Sequence, residues 1–326
     1  MYGDGVAAYP DCYSPGGTSS ILDWVKANPK KKAPNGFGIP MLSLSTNCVY
    51  VQAYRIAGWM AGEYGDDSDS MYEQRADQLE ARIRESFWNP ALGTFNYLFD
   101  SEGICDHQEG LGHAFAILFQ IAKDEQADSV LSKQHSTHFG IPCVWPTFQR
   151  YSSLGGYGRH SGTVWPFISG FWGEAALQQG RMDLFEREFL SLTENINRSG
   201  QCAEIHHPDT GEVYGGLQEN GTGPLGMDWV SCTRQSWTAT AYLRLLLNCL
   251  FGMKFSENGI RFSPCLPKDV EKVEIRGIRY RDCELNLIVE GHGGRIMDYA
   301  RNGEVSEPFL SADMRGEQDI RINLSE

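Results

Sequence analysis

The stretch at 201–216, Q-C-A-E-I-H-H-P-D-T-G-E-V-Y-G-G, sets a carboxylate, Glu204, in a polar loop punctuated by Gly and Pro. Loops held on a rigid scaffold are where recognition and catalysis concentrate. Hydrolysis of an acetal needs one carboxylic acid to protonate the leaving oxygen and a second carboxylate to attack or to activate water. Glu204 is the first candidate for the second role, because Cys202, Ile205 and Pro208 around it favour partial desolvation. It also fits an ordinary solvated loop acid. For the protonating acid, Asp11 in Y-P-D-C-Y-S-P comes first, Asp4 in Y-G-D-G second and Glu109 in C-D-H-Q-E-G-L-G-H third. Asp4 and Asp11 fit equally well as turn formers that bond their own backbone. Asp106 fits a cap for the helix that Glu109 opens.

A second group lies in Y-G-R-H-S-G-T-V-W-P, just ahead of a helical pattern. Arg159, His160 and Trp165 there could line a sugar subsite, since flat amphipathic rings stack on sugar faces. The alternative is a helix start with Trp165 in the core. Trp145, Trp229 and Trp237 lie in or beside loops, where a ring can serve as a stacking platform. Other chemistries lack their signatures: the sequence has no G-x-S-x-G elbow, no phosphate-binding Walker loop, no H-E-x-x-H and no G-x-G-x-x-G after a strand. No cofactor and no metal site is expected, because the nine cysteines are scattered without a C-x-x-C pair.

The elements that must position these residues follow from periodicity. Residues 1–43, rich in Gly and Pro, read as loop around a short helix at 19–27 and a basic turn at 28–35. From Leu44 the pattern becomes helical. Ala53, Ile56, Ala57 and Met60 mark one apolar face, and Tyr72, Ala76, Leu79, Ile83 and Phe87 mark its partner, a helical hairpin. Leu111, Phe115, Leu118 and Ile121, then a polar helix near 125–134, make a second. Val164, Ile168, Phe171 and Ala175, then Phe185, Phe189, Leu192 and Ile196, make a third, and 237–251 forms a last long helix. Hairpins joined by alternately long and very short loops, stacked side by side, gather the long loops at one end. Beyond Gly252 the period changes to two, at 259–262, 273–276, 284–289 and 320–324, which predicts a β module. The expected organisation is a loop region 1–43, a helical-hairpin domain 44–255 and a β module 256–326.

Composition narrows the ligand. A net charge of −14 and a pI near 5 argue against nucleic acid or an anionic membrane as partner. A neutral small molecule fits better, and 12% aromatic residues suit sugars. No membrane-length apolar run and no secretory signal stands in the chain as given, which is expected to be soluble. The compartment is left unknown, with cytoplasm or, for a fragment, periplasm or exterior as the alternatives.

Several motifs occur together in a recognisable order: L-S-T-N at 44–47, H-S-G-T-V-W-P-F at 160–167, E-I-H-H-P-D-T-G at 204–211, Q-S-W-T-A-T at 235–240 and G-I-R-F-S-P-C-L-P at 259–267. In these the chain resembles the six-hairpin glycosidases, above all the mannosylglycerate-hydrolase-like and processing α-glucosidase group, with trehalases as cousins. The resemblance implies a mainly α fold, an (α/α)6 toroid incomplete at its N-terminus, with a small C-terminal β-sandwich-like module. It implies inverting hydrolysis of α-glycosidic bonds in oligosaccharides, with Glu204 as base and Asp11 as acid. Asp11 stands 36 residues before Asn47, and one more residue separates it from its Ser than the family pattern has. Tyr151, His160, Trp165 and Trp237 become sugar contacts by the same likeness, and Asp4, Glu109, Arg159 and Gln218 complete the expected substrate-binding set. A glycoside phosphorylase is the alternative enzyme, although Arg159 and Arg234 make a sparse phosphate pocket. A carbohydrate-binding fragment without turnover is the alternative outside catalysis. The visible helices are fewer than six hairpins need, so an N-terminal segment of the same enzyme, absent here, is an expected partner beside the oligosaccharide.

Overall fold

The computed structural model describes residues 41–100, 104–218, 227–228 and 230–325. Asp4, Asp11, the helix and turn expected at 19–35, and Trp229 lie outside the described residues. Helices fill the first two thirds. They are α1 (Leu44–Tyr64), α2 (Asp69–Phe87), α3 (Gly110–Leu118), α4 (Asp124–Lys133), the short α5 (Gln149–Ser152), α6 (Pro166–Gln178), α7 (Met182–Ser199) and α8 (Ser236–Arg244).

Packing arranges these helices in two rows. α1, α3, α6 and α8 lie side by side in that order, while α2 backs α1, α4 follows α3 and α7 backs α6. The hairpins expected from periodicity are therefore present, and their sequential neighbours are spatial neighbours. Ala76, Ile83 and Phe87 of α2 and Ile168, Trp172 and Ala175 of α6 are buried in one helical core. Burying side chains the size of Ile or Phe contributes roughly 1.5–3 kcal/mol each. Two glycines set helix ends: Gly65 (φ +69°) closes α1 and Gly200 (φ +66°) closes α7, both in the left-handed region that other residues avoid.

Two sequence readings need correction. Ala53, Ile56 and Met60, read as the buried face of α1, point to solvent, and Leu44, Cys48, Val51, Gly58 and Ala61 are buried instead. The helix is apolar on two sides, so periodicity alone could not choose between them. The last helix is also not uniform, because α8 gives way to a π-helical turn, Leu245–Leu250. A wider turn puts positions four and five apart on one side, and Leu245, Cys249 and Leu250 are buried together.

The strands before Gly252 are short. β1 (Met41–Ser43), β4 (Leu98–Asp100) and β5 (Ile104–Cys105) form one small sheet, and β2 (Trp88–Asn89) pairs with β3 (Thr94–Phe95). β6 (Gln108–Glu109) pairs with β7 (Val144–Trp145), and β8 (Leu217–Gln218) with β9 (Met227–Asp228). After the helices the chain becomes all β. β10 (Met253–Ser256), β11 (Gly259–Phe262) and β16 (Phe309–Ser311) form one sheet. β12 (Lys272–Tyr280), β13 (Cys283–Glu290), β17 (Gly316–Ser325), β14 (Arg295–Arg301) and β15 (Glu304–Val305) form the other, in that spatial order, with β13 and β17 parallel. Both sheets share a core with the helices: Leu285, Leu287 and Val289 pack in the same cluster as Phe185 and Phe189 of α7 and Ala241 of α8. The module thus braces the helices that flank the Glu204 loop. No described helix is long and apolar enough to cross a membrane.

Candidate active site

Loops at one end of the helices are knitted together by single backbone pairings. Glu109 pairs with Val144, Gly162 N–H donates to the Val144 carbonyl, and Val164 exchanges both hydrogen bonds with His206. His206 in turn bridges to Val213. This lattice satisfies the loop backbones internally and fixes segments that come from four distant parts of the sequence.

Glu204 sits within it, between α7 and α8. Its N–H donates to the Cys232 carbonyl at 2.8 Å, and the Cys232 N–H returns a bond to Glu204 Oε2 at 3.1 Å. Arg159 Nη2 donates to the same Oε2 at 2.8 Å, and its Nη1 holds the Gly215 carbonyl at 3.1 Å. Both side chains are largely buried, Glu204 at 10% and Arg159 at 15% exposure. Among the described residues, both of these side-chain hydrogen bonds to the Glu204 carboxylate fall on Oε2.

Arg159 is held by its own backbone, in a turn beside β8. Arg159 N–H donates to the Leu217 carbonyl, and Leu217 N–H to the Tyr157 carbonyl. The approach is close enough that a Cβ on Gly216 would meet the Arg159 backbone at 2.4 Å, so this position needs glycine. On the other side, the Tyr151 ring lies where a Cβ on Gly158 would stand, 2.3 Å away.

Beside the ion pair runs a set of rings. His160 stacks on Trp165, with centroids 5.0 Å apart and planes at 21°. Trp165 meets Trp237 edge-on at 6.1 Å, and Trp237 stacks on Phe167 at 5.1 Å. Trp165 Nε1 donates to the Arg159 carbonyl at 2.8 Å, and the Arg159 guanidinium lies over the Trp165 ring, 5.6 Å from its centroid. Trp237, on the first turn of α8, is the exposed member, at 40%. Burial and the neighbouring Arg159 push His160 down to about 3, so its ring is neutral at ordinary pH.

The structure therefore brings together Glu204, Arg159, His160, Trp165 and Trp237. Three residues expected at the sugar, Trp165, Tyr151 and Glu109, are buried. Trp165 donates to the Arg159 carbonyl, and Tyr151 packs under Gly158. Glu109 is fully buried where the N-termini of α1 and α3 converge: it caps α3 by position, and its Oε2 accepts from Ser45 N–H of α1 at 3.3 Å. Burial pushes its carboxyl up to about 8. Asp106, expected to cap that helix, is exposed, and Glu109 holds the cap position. Gln218 ends β8, opposite Met227.

Sequence reasoning missed Cys232, whose contribution is a backbone N–H and so leaves no mark in residue type. It also missed Gly215, for which the Gly215–Gly216 pair was an available signal. A nearby rim of Tyr157, His207 and Tyr214, with Tyr157 Oη donating to Asp209 at 2.7 Å, was likewise not singled out. No group of His, Cys, Asp or Glu among the described residues could hold a metal ion. A concavity of about 340 Å³ lies away from this site on the five-stranded sheet, lined by Arg276, Asn286, Asp319 and Arg321 and by no aromatic ring.

Comparison with known proteins adds three findings. A GH63 mannosylglycerate hydrolase from Thermus thermophilus is 18% identical and aligns over 64% of this chain and 48% of its own, with a TM-score of 0.48. A sialidase aligns over 81% of this chain and 25% of its own at 16% identity and TM-score 0.63, and a GH78 rhamnosidase of Bacillus sp. GL1 over 87% and 28% at 16% and 0.53. The chain thus spans about half, or less, of the solved structures it matches. Curated proteins gave no match. Residues 253–298 match the C-terminal domain of glycosyl hydrolase family 65, and residues 18–238 match the mannosylglycerate hydrolase MGH1-like glycoside hydrolase domain. That second match covers more than half of the sequence and includes every residue of the Glu204 site, and the chain belongs to the MGH1-like glycoside hydrolase family.

Proposed function

We propose that this chain carries the base side of an inverting α-glycosidase. The observation that supports it best is the carboxylate of Glu204, clamped through Oε2 by Arg159 and the Cys232 N–H beside the exposed ring of Trp237. Oε1 then takes the proton of a water molecule as its oxygen bonds to the anomeric carbon. The bond from that carbon to the leaving oxygen breaks, and the leaving oxygen receives a proton from an acid on the opposite face. Asp11 is our assignment for that acid, with Asp4 next. Glu109 is set aside, because its carboxyl is walled in between two helix starts.

The guanidinium of Arg159 orients the base and spreads its negative charge. Trp237 stacks on an apolar sugar face, and neutral His160 holds Trp165 and so the Arg159 turn. Substrates are α-linked oligosaccharides or smaller α-glycosides, and further chain of the same enzyme completes the ring around them.

The test is hydrolysis of a panel of aryl and disaccharide α-glycosides, with the anomeric proton of the first product followed by NMR. β-Anomer appearing first, and its loss in Glu204→Gln, supports the reading. First release of the α-anomer overturns inversion, a rate that rises with added phosphate points to a phosphorylase, and sugar binding without turnover would mark a binding fragment.

A further inference from the structure

The second half of α7 carries a polar stripe turned away from solvent. Glu188, Ser191 and Asn195, spaced so that they share one side of the helix, are all buried. All three hold the backbone of a single segment, 136–141. Ile141 N–H donates to Glu188 Oε2 at 3.2 Å, Ser191 Oγ to the His138 carbonyl at 2.7 Å and Asn195 Nδ2 to the Phe139 carbonyl at 2.9 Å. Ser136 Oγ adds a bond to Glu188 Oε1 at 3.2 Å. A buried carboxyl and a buried amide are costly where packing alone is needed. Their convergence on one loop points to a demand for that loop's position.

Phe139 sits at the tip of the loop, where Thr137 pairs with Gly140. Its buried ring touches two groups: the Arg198 guanidinium of α7 lies over it, 5.1 Å from the centroid, and a Cβ on Gly211 would meet it at 2.4 Å. Gly211, at φ +71°, makes the turn of a hairpin that begins beside Glu204. Within this hairpin His206 Nδ1 donates to the Gly211 carbonyl at 3.0 Å, Gly211 N–H to the His207 carbonyl at 2.9 Å and Tyr214 N–H to the Ile205 carbonyl at 3.1 Å. A carbonyl only accepts, so His206 carries a hydrogen on Nδ1.

We propose that Phe139, gripped by α7, is a positioning residue for Glu204. Its ring sets the Gly211 turn, His206 ties that turn to the segment that follows Glu204, and the carboxylate is thereby held where Arg159 and the Cys232 N–H meet it. The role of this wedge in turnover rests on the proposed reading of Glu204 as a base, whereas its hold on the hairpin does not.

The test compares the full 326-residue chain with Phe139→Ala, Phe139→Leu and Asn195→Ala, and with Ile83→Ala, a core truncation on α2, the helix that backs α1. Hydrogen exchange read by mass spectrometry over 204–214 and over α1 is set beside kcat and KM on the best α-glycoside. Phe139→Ala and Asn195→Ala are expected to speed exchange over 204–214 about tenfold and to leave α1 unchanged. Turnover in both falls about ten- to a hundredfold in kcat, with KM within about twofold, as for a misplaced catalytic group. Phe139→Leu, which keeps a large apolar side chain against Gly211, recovers most of kcat. Ile83→Ala lowers Tm and moves neither the hairpin nor kcat. Two results overturn the proposal: exchange over 204–214 no faster in Phe139→Ala and Asn195→Ala than in Ile83→Ala, or a loosened hairpin with kcat unchanged. If Phe139→Ala does not fold, Asn195→Ala, which leaves the ring in place, decides. A parent chain that hydrolyses no glycoside ends the reading of Glu204 as base, and exchange alone then decides whether Phe139 holds its hairpin.

Discussion

Arg159 Nη2 and Glu204 Oε2 lie 2.8 Å apart although 45 residues separate them in sequence. The pair is mostly shielded from water, and the same guanidinium also grips the Gly215 carbonyl, so it ties both ends of the Glu204 loop to the turn at 159.

Glu204→Gln keeps the shape and removes the basic oxygen. Turnover of the best α-glycoside is expected to fall by roughly 10²–10⁴, the usual contribution of a general base. Full activity in this variant would end the assignment; kcat measured beside a thermal melt separates it from misfolding.

Breaking a buried ion pair from one side leaves the other charge uncompensated, which costs about 3–5 kcal/mol in fully buried cases. Arg159→Met is therefore expected to lower unfolding free energy by about 2–4 kcal/mol, discounted for the residual exposure. Urea unfolding reads it. Arg159→Met with Glu204→Gln should recover part of the loss, since no lone charge remains.

Trp237 is half-exposed, so its truncation exposes little core. Trp237→Ala should raise KM about tenfold, the loss of one aromatic contact, with Tm nearly unchanged. A large drop in Tm with unchanged KM would recast Trp237 as packing against Phe167.

Glu109 and His160 give stability opposite slopes with pH. For Glu109, the folded value near 8 lies above the ordinary carboxyl value, so the native state holds a proton that the unfolded chain releases. Its contribution is complete below about pH 4.5 and is lost as pH rises through about 8. Glu109→Gln should flatten that alkaline decline. His160 is displaced down to about 3, so the unfolded chain binds its proton first, and stability falls as pH drops from about 6.5 toward 3. His160→Asn should remove that acid-side slope. Chemical denaturation at a series of pH values reads both.

The sequence by itself determined the element types and the identity of the family. Period-3.6 stripes such as Ala76, Ile83 and Phe87 predicted α2, period-two runs predicted β11 to β13 and β17, and E-I-H-H-P-D-T-G pointed to Glu204. These are local signals, carried by residue type and spacing. What only the tertiary structure decided depends on contacts between distant segments. Periodicity could not tell which apolar face of α1 is covered, because both faces are apolar. Residue type could not tell that Trp165, Tyr151 and Glu109 are buried while Trp237 is half-exposed, because burial belongs to the packed molecule. Nor could it show Cys232 giving Glu204 its second hydrogen bond, since a backbone N–H is the same in every residue but proline and only the fold aims it.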